Sequence, residues 1–277
     1  MNIILIDTSY AIFYRYYATI KWFSFAYKEE YANYKNNENY NWFENKIFVE
    51  KYEKMFLESI IKLVKKKIFN SNNSKILFCL DTPKELLWRS KIQCNYKSNR
   101  ILKTNDGYNI KLFFNYTCTI IIQNLIKNYK NINLIQQSNI EADDIIAIIS
   151  LYIKNNNLNH KIYLISSDND FYQLGFSNLF FLNFKTKKEL KFSEDEAKYE
   201  LNKKIIFGDK SDCIPSITKK RIKNKFELLE DSELLSQYLS NNPESKKQYE
   251  INQKMIDFNY IPKEYFNIIT KKFVSLL

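Results

Sequence analysis

Glycine is scarce in this 277-residue chain: Gly107, Gly175 and Gly208 are the only three. Glycine-rich loops that cradle nucleotide phosphates on bare backbone are therefore excluded. Histidine is scarcer still. His160 stands alone, which argues against a histidine general base and leaves a tetrahedral zinc site without ligands. The four cysteines (Cys79, Cys94, Cys118, Cys213) lie far apart with no paired spacing, the pattern of reduced thiols rather than a disulfide framework. No stretch approaches the roughly 20 apolar residues of a membrane span, and no charged-then-apolar leader opens the chain. A soluble, intracellular protein with no membrane partner is expected.

What the chain does contain is ordinary for a folded protein, with 45% hydrophobic and 26% charged residues. Its charge is not ordinary. Forty-two Lys and Arg face 31 Asp and Glu, a net charge of +11, which points to a polyanionic partner, most simply nucleic acid. Heavy use of Lys, Asn and Ile is the mark of an AT-rich genome.

Three short apolar runs end in aspartate: Asn2–Ile6 before Asp7, Lys75–Leu80 before Asp81, and Lys161–Ser167 before Asp168, with Asp170 two residues on. Such runs suit strands buried on both faces of a parallel sheet. Helical patterns over 48–69, 112–129 and 143–154 separate them, so an α/β fold with right-handed crossovers is expected. In that architecture sites form beyond the carboxyl ends of the strands, which gathers the three strand-end aspartates on one edge. The aromatic segment 20–45 shows no clear period and reads as a long loop or short helical excursion. A second excursion follows Asp81, and 82–103 carries six basic residues against one acid.

The segment SNIEADDIIAIIS (138–150) adds Glu141, Asp143 and Asp144 ahead of an apolar run, and GDKSD (208–212) adds Asp209 and Asp212. Acids in a first helical turn complement the helix dipole, and SSDND suits a polar turn. These readings hold one at a time. Together they leave at least seven acids at one sheet edge, repelling one another at a cost of several kcal/mol unless cations compensate. An all-oxygen set without His or Cys selects Mg²⁺ or Mn²⁺. Two such ions about 4 Å apart serve phosphoryl chemistry, so an acidic pit in a basic surround reads as a metal-dependent nuclease.

Asp7, Asp81, IEADD (140–144), SSDND (166–170) and GDKSDCIPSI (208–217) stand in the order and spacing of flap endonucleases and 5′–3′ exonucleases, which the chain resembles over nearly its whole length. The IDTSYAIFYRYYA start and the aromatic insertion are most similar to versions from large double-stranded DNA viruses. The resemblance implies a PIN-like domain over 1–200, with a central mostly parallel sheet and a helical gateway at about 82–106. It implies a helix–hairpin–helix DNA-binding subdomain with C-terminal helices over 201–277. The activity implied is two-metal 5′–3′ exonuclease and 5′-flap cleavage in replication or repair, in the nucleus or at a viral replication site. Its substrates would be flaps, nicked or gapped duplex and single-strand/duplex junctions. The alternatives are a PIN-type single-strand ribonuclease and a catalytically inactive DNA-binding relative.

Carried over by position, one Mg²⁺ or Mn²⁺ site would use Asp7, Asp81, Glu141 and Asp143, and a second Asp168, Asp170 and Asp209. Asp144 and Asp212 would act from the outer shell. Lys97 and Arg100, in YKSNR, match gateway residues that steer the scissile phosphate, with Arg89 on the same element. Phe13 would stack on a terminal nucleotide, with Arg15 as a further DNA contact. Lys219, Lys220, Arg221, Lys223 and Lys225 would grip duplex phosphates. The hairpin lacks the family's glycines, which counts against a bound K⁺ there. Residues 269–277 hold no sliding-clamp motif, and a monomer is expected.

Overall fold

The computed structural model of the chain describes residues 1–35, 40–83, 86–99, 104–218 and 226–277, and the side chains of 35 and 104–107 are left aside. Its frame is a six-stranded sheet in the order β3-β2-β1-β4-β5-β6. The strands are β1 (Asn2–Asp7), β2 (Ser74–Leu80), β3 (Ile132–Gln136), β4 (Lys161–Ile165), β5 (Leu179–Leu182) and β6 (Glu189–Leu190). All pairings are parallel except β5 with β6. The central, mostly parallel sheet expected from the apolar runs is present.

The strands are apolar throughout because both faces are covered. Ile3 and Leu5 of β1, with Leu77 and Cys79 of β2, enter one core. Their alternate neighbours Ile4, Ile6, Ile76 and Phe78 enter the other, as the two-residue period of a strand requires. On the second face lie α1 (Thr8–Ala26), α2 (Lys28–Lys35), α3 (Lys46–Val64) and α4 (Lys66–Phe69). The short α5 (Trp88–Ile92) follows β2, and α6 (Thr104–Tyr116) and α7 (Ile122–Asn128) flank a π-helical turn. The helix expected over 48–69 is broken at Lys65, which takes φ 73°.

The first face is built by α8 (Ala142–Asn155) and α13 (Lys263–Leu276). Ile145, Ile146, Ile148 and Ile149 of α8 are all fully buried, wedged between the sheet and α13, so the run after the acids is apolar nearly all round. Residues 269–276 belong to α13, whose Ile269 and Phe273 are spent in this core. After β6 the described residues are mostly helical: α9 (Glu194–Phe207), α10 (Glu227–Glu230), α11 (Ser232–Asn241), α12 (Pro243–Ile256) and α13. Helix α9 runs unbroken across the boundary expected at 200/201. Among the described residues no helix is long and apolar enough to cross a membrane.

The segment 20–45 differs most from its sequence reading. Its first part completes α1 and its middle forms α2. Phe23 and Trp42 are fully buried, with ring centroids 5.0 Å apart, and Trp42 also meets Phe48 at 4.3 Å and Tyr34 at 4.3 Å. The Trp42 N–H donates to Asn109 Oδ1 at 2.8 Å. The aromatics there are largely core: their burial, rather than an amphipathic stripe, holds the segment in place.

Because α8 carries three of the acids at its N-terminal end, its packing sets their geometry. Ile146→Ala is expected to lower unfolding stability by about 2–5 kcal/mol. Urea denaturation should show this as a lower midpoint at an unchanged m-value; a shift within 0.5 kcal/mol would contradict the packing described.

Candidate active site

The carboxyl ends of β1, β2, β3 and β4 open on one edge of the sheet, where the acids converge. Asp7, only 6% exposed, caps α1 by accepting from the Tyr10 N–H at 3.0 Å, and accepts from Ser166 Oγ at 3.0 Å. Asp81 Oδ1 accepts from the Ala142 N–H at 2.7 Å, tying the end of β2 to the first turn of α8. Thr82 Oγ1 reinforces this by donating to the carbonyls of Gln137 and Ile140. Asp168 Oδ1 accepts from the Asp170 N–H at 2.9 Å, which turns both acids out of β4.

At the start of α8 the three acids have separate fates. Asp144 is fully buried; its Oδ2 accepts from Trp88 Nε1 at 3.0 Å, from the Glu141 N–H at 3.1 Å and from Arg89 Nη1 at 2.9 Å, while Arg89 Nη2 pairs with its Oδ1 at 2.8 Å as an ion pair. Glu141 accepts from Tyr96 Oη at 2.9 Å and Arg89 Nη1 at 3.2 Å, and pairs with Lys97. Asp143 is partly exposed and, among the described residues, carries no hydrogen bond or ion pair of its own. It is the acid of this trio left open to the cleft.

Asp170 and Asp209 share Lys204 of α9, whose Nζ lies 2.9 Å from Asp209 Oδ2. Asp212 Oδ2 lies 3.8 Å from Lys97 Nζ. Glu141, Asp143, Asp170, Asp209 and Asp212 line one cleft with Arg89, Tyr96 and Lys204. The loop carrying Asp209 and Asp212 hangs on Gly208, which has φ 72°. A Cβ there would stand 2.3 Å from the Ile214 carbonyl oxygen, because Asp209 and Ile214 pair backbone to backbone across the loop. The segment after α5 is stitched to the same loop. Gln93 Nε2 donates to the Cys213 carbonyl at 2.7 Å, the Lys97 N–H to that of Asp212 at 3.1 Å, and Asn99 Nδ2 to that of Lys210 at 2.9 Å.

The electrostatics follow the placement. Burial, with Asp81 beside it, pushes the Asp7 carboxyl up to about 7 despite the bonds from Tyr10 and Ser166. Burial and then Asp7 drive Asp143 well above the usual carboxylate range. Burial also raises Asp144, though Arg89 opposes it. Burial acts upward on Glu141 too, but Lys97 and Arg89 overcome it and hold that group below its ordinary value. Asp168 contributes to the rise at both Asp7 and Asp143, so it acts on the first set of acids while its backbone neighbour Asp170 belongs with the second.

Among the described residues no three acids, histidines or cysteines stand ready around a single point as a finished metal cage. Lys97 and Lys204 lie among the carboxylates and draw them to their own ammonium groups. The donor set itself, carboxylates only, suits a hard divalent cation, and the pair Asp7 and Asp143 is short of positive charge.

Several expected residues take other positions. Arg89, expected to steer phosphate from the gateway, is 3% exposed. Its Nε donates to the Met255 carbonyl at 2.8 Å, so it is an internal brace for Glu141 and Asp144, too enclosed to meet substrate. Lys97 does reach the acids, but from a buried position. Phe13 is 44% exposed and meets Tyr17 at 4.8 Å, so it is not core. Arg15 is 5% exposed, turned inward from the surface Phe13 presents. Arg100, Lys219, Lys220, Arg221, Lys223 and Lys225 lie outside the described residues, as does part of the gateway. Lys204, Tyr96, Trp88 and Ser166 were not singled out from sequence. Tyr96 and Ser166 sit inside the quoted motifs YKSNR and SSDND, whereas nothing local marks Lys204, five residues before Asp209.

An acid cluster at the strand ends of a parallel sheet, braced by a buried arginine, is the class of site that binds hard cations. Residues 2–202 match the family of the 5′-3′ exonuclease N-terminal resolvase-like domain, and the chain belongs to that 5′ nuclease family. It is 30% identical over 220 residues to the ribonuclease H of Enterobacteria phage T4, covering 73% of this chain and 70% of that protein. Its fold matches the T5 D15 protein co-crystallised with metal ions at a TM-score of 0.67 and 16% identity, over 100% of this chain and 99% of the other. A T5 D15 flap endonuclease in a pseudo-enzyme–product complex with DNA and metal ions matches at 0.65 and 17%, over 100% and 99%.

Two outcomes test this site. A carboxyl raised from 3.8 to about 7 binds its proton more tightly folded than unfolded. Its contribution is therefore neutral at low pH, and stability is lost as pH rises through that window, by about 4 kcal/mol at most for Asp7. In EDTA the melting temperature should fall between about pH 4 and 7 and level off above that, and Mg²⁺ should remove most of the fall; identical profiles with and without Mg²⁺ would contradict it. Gly208→Ala should strain the Asp209 loop and lower the midpoint of unfolding; a wild-type midpoint would show that the loop tolerates a side chain.

Proposed function

We propose that the chain is a divalent-metal-dependent, structure-specific 5′ nuclease, cutting 5′ flaps and removing nucleotides 5′ to 3′ by phosphodiester hydrolysis. The observation that carries this reading is the pairing of Asp7, at the end of β1, with Asp143, in the first turn of α8: both are pushed above the usual carboxylate range, and neither has an ion pair among the described residues. The solved structures with a similar fold, one co-crystallised with metal ions and one in a complex with DNA and metal ions, support it.

Asp7, Asp81, Glu141 and Asp143 would hold one Mg²⁺ or Mn²⁺, and Asp168, Asp170 and Asp209 a second, with Asp144 and Asp212 orienting the ligands. When bound, the pair supplies charge neutralisation, water activation and stabilisation of the leaving oxygen. The protein's own part is positional. Arg89 and Trp88 fix Asp144, which fixes the backbone of Glu141. Lys97 and Lys204 keep the acids tolerable until cation and phosphate arrive, and are then free to pair with the substrate's phosphate oxygens. Arg100 would join them, and the cut would leave a 5′-phosphate end.

Residues 1–200 act in this reading as the PIN-like catalytic unit with its gateway at 82–106. Residues 201–277 act as the helix–hairpin–helix and terminal helices that hold duplex DNA by its phosphates. Phe13, exposed beside Tyr17, offers an aromatic platform for an unpaired base.

Labelled 5′-flap DNA, nicked duplex and single-stranded RNA, each with Mg²⁺ and then EDTA, test the assignment. Flap cleavage that needs Mg²⁺ is expected. Asp143→Asn should reduce its rate by at least about 100-fold, while Lys204→Ala should slow it less. A flap left intact with Mg²⁺, or cleavage untouched by Asp143→Asn, would reject the proposal; RNA cut in preference would move it to the ribonuclease reading.

A further inference from the structure

A second cluster of positive charge lies away from the acids, between α1, α3 and the β5–β6 turn. Arg15 points inward from α1, 5% exposed, and its Nε has no hydrogen-bond partner. Its guanidinium carbon stands 5.6 Å from the centroid of the Tyr14 ring. Over the same ring, at 5.1 Å, lies the ammonium of Lys187, which is also 5.9 Å from Phe184. Tyr14 and Phe184 stack with centroids 5.3 Å apart, so two rings form one wall.

Lys187 is held there by a constructed turn. Asn183 Oδ1 accepts from the N–H groups of Lys185 and Thr186 at 2.8 and 2.9 Å, and the Lys187 N–H donates to the Asn183 carbonyl at 3.0 Å. Lys187 itself adopts φ 59°, a left-handed conformation that a lysine enters only where its surroundings require it. Partial burial of its ammonium and then the charges of Arg15 and Lys62 pull the Lys187 pKa down, in keeping with the lack of an opposite charge beside it.

Among the described residues neither Arg15 nor Lys187 has a carboxylate in ion-pair range. Glu58 is felt by Arg15 only at a distance, and it faces Lys54 at the surface. A ring face recovers only a fraction of what a desolvated guanidinium forfeits. The remaining deficit is what an oxyanion cures, and a buried guanidinium and an exposed ammonium against one aromatic ring are the groups that bind a phosphoryl group.

We infer that Arg15 and Lys187, walled by Tyr14 and Phe184, form a phosphoryl-binding site separate from the catalytic acids. Arg15 lies eight residues along α1 from Asp7, about 12 Å at the rise of an α-helix. A backbone phosphate of a bound strand and free inorganic phosphate present the same chemistry to it. The first source rests on the DNA-binding reading above; the second does not.

Arg15 is core-packed, so exposed Lys187 carries the test, with exposed Lys188 of the same turn as control. Binding of a labelled 5′-flap DNA is measured by anisotropy in EDTA across a salt series. In parallel, melting temperatures are taken in inorganic phosphate and in chloride of equal ionic strength. Lys187→Ala should weaken flap binding roughly 5-fold and flatten the log–log salt slope by about 0.9, with Lys188→Ala changing less. Phosphate should raise the melting temperature of the wild type and fail to raise that of Lys187→Ala. Loss of the phosphate shift with unchanged flap binding assigns the site to free phosphate. Equal losses from both lysines, or no change in either assay, overturn it. A wild-type protein that binds no flap indicts the DNA reading, and the phosphate arm then still decides this site.

Discussion

The constraint on which this structure turns is the repulsion among carboxylates gathered at one edge of a buried sheet. Charges taken out of water are tolerated only when opposite charge or hydrogen bonds meet them. Here the compensation is uneven. Asp144 is answered by a bidentate arginine and an indole N–H, Glu141 by Arg89, Lys97 and Tyr96, and Asp170 and Asp209 by Lys204. Asp7 receives only a backbone amide and a serine, and Asp143 has neither among the described residues. The shortfall is local, and it sits where the cleft opens.

That unevenness links fold to function. The apolar underside of α8 anchors the acids so firmly that they do not spread apart to relieve their repulsion, and Arg89 ties the assembly to the carbonyl of Met255 in the C-terminal helices. The segment carrying Lys97 is stitched to the loop carrying Asp209 and Asp212. The segments that carry Lys97 and the second set of acids thus share one hydrogen-bonded frame. Rigid scaffolds of this kind favour electrostatic preorganisation over proton-transfer chemistry, in keeping with a chain that has a single histidine.

Much of this was legible in the sequence, because acids directly after short apolar runs announce a parallel sheet with its site at the strand ends. The strands β1, β2 and β4 and the buried character of α8 follow from local pattern alone. What local pattern does not carry is the long-range partner. Arg89 and Met255 are 166 residues apart, so a basic residue read as a phosphate-steering member of the gateway is instead an internal brace. Lys204 looks like any other lysine on a charged helix until the fold sets it between Asp170 and Asp209. The aromatic segment 20–45 lacks a period because its rings pack among themselves and with Phe48, which propensity does not foresee. The resemblance to flap endonucleases and 5′–3′ exonucleases supplied the family, and the geometry shows how this chain's own cations brace it.

The central claim is that the uncompensated acids at the sheet edge constitute a divalent-cation site. Counting Mn²⁺ bound at equilibrium, from the electron paramagnetic resonance signal of the free ion, tests it without reference to turnover. The account predicts two ions per chain, with one lost in Asp143→Asn. A protein that binds no Mn²⁺, or binds it equally well after that substitution, would contradict it.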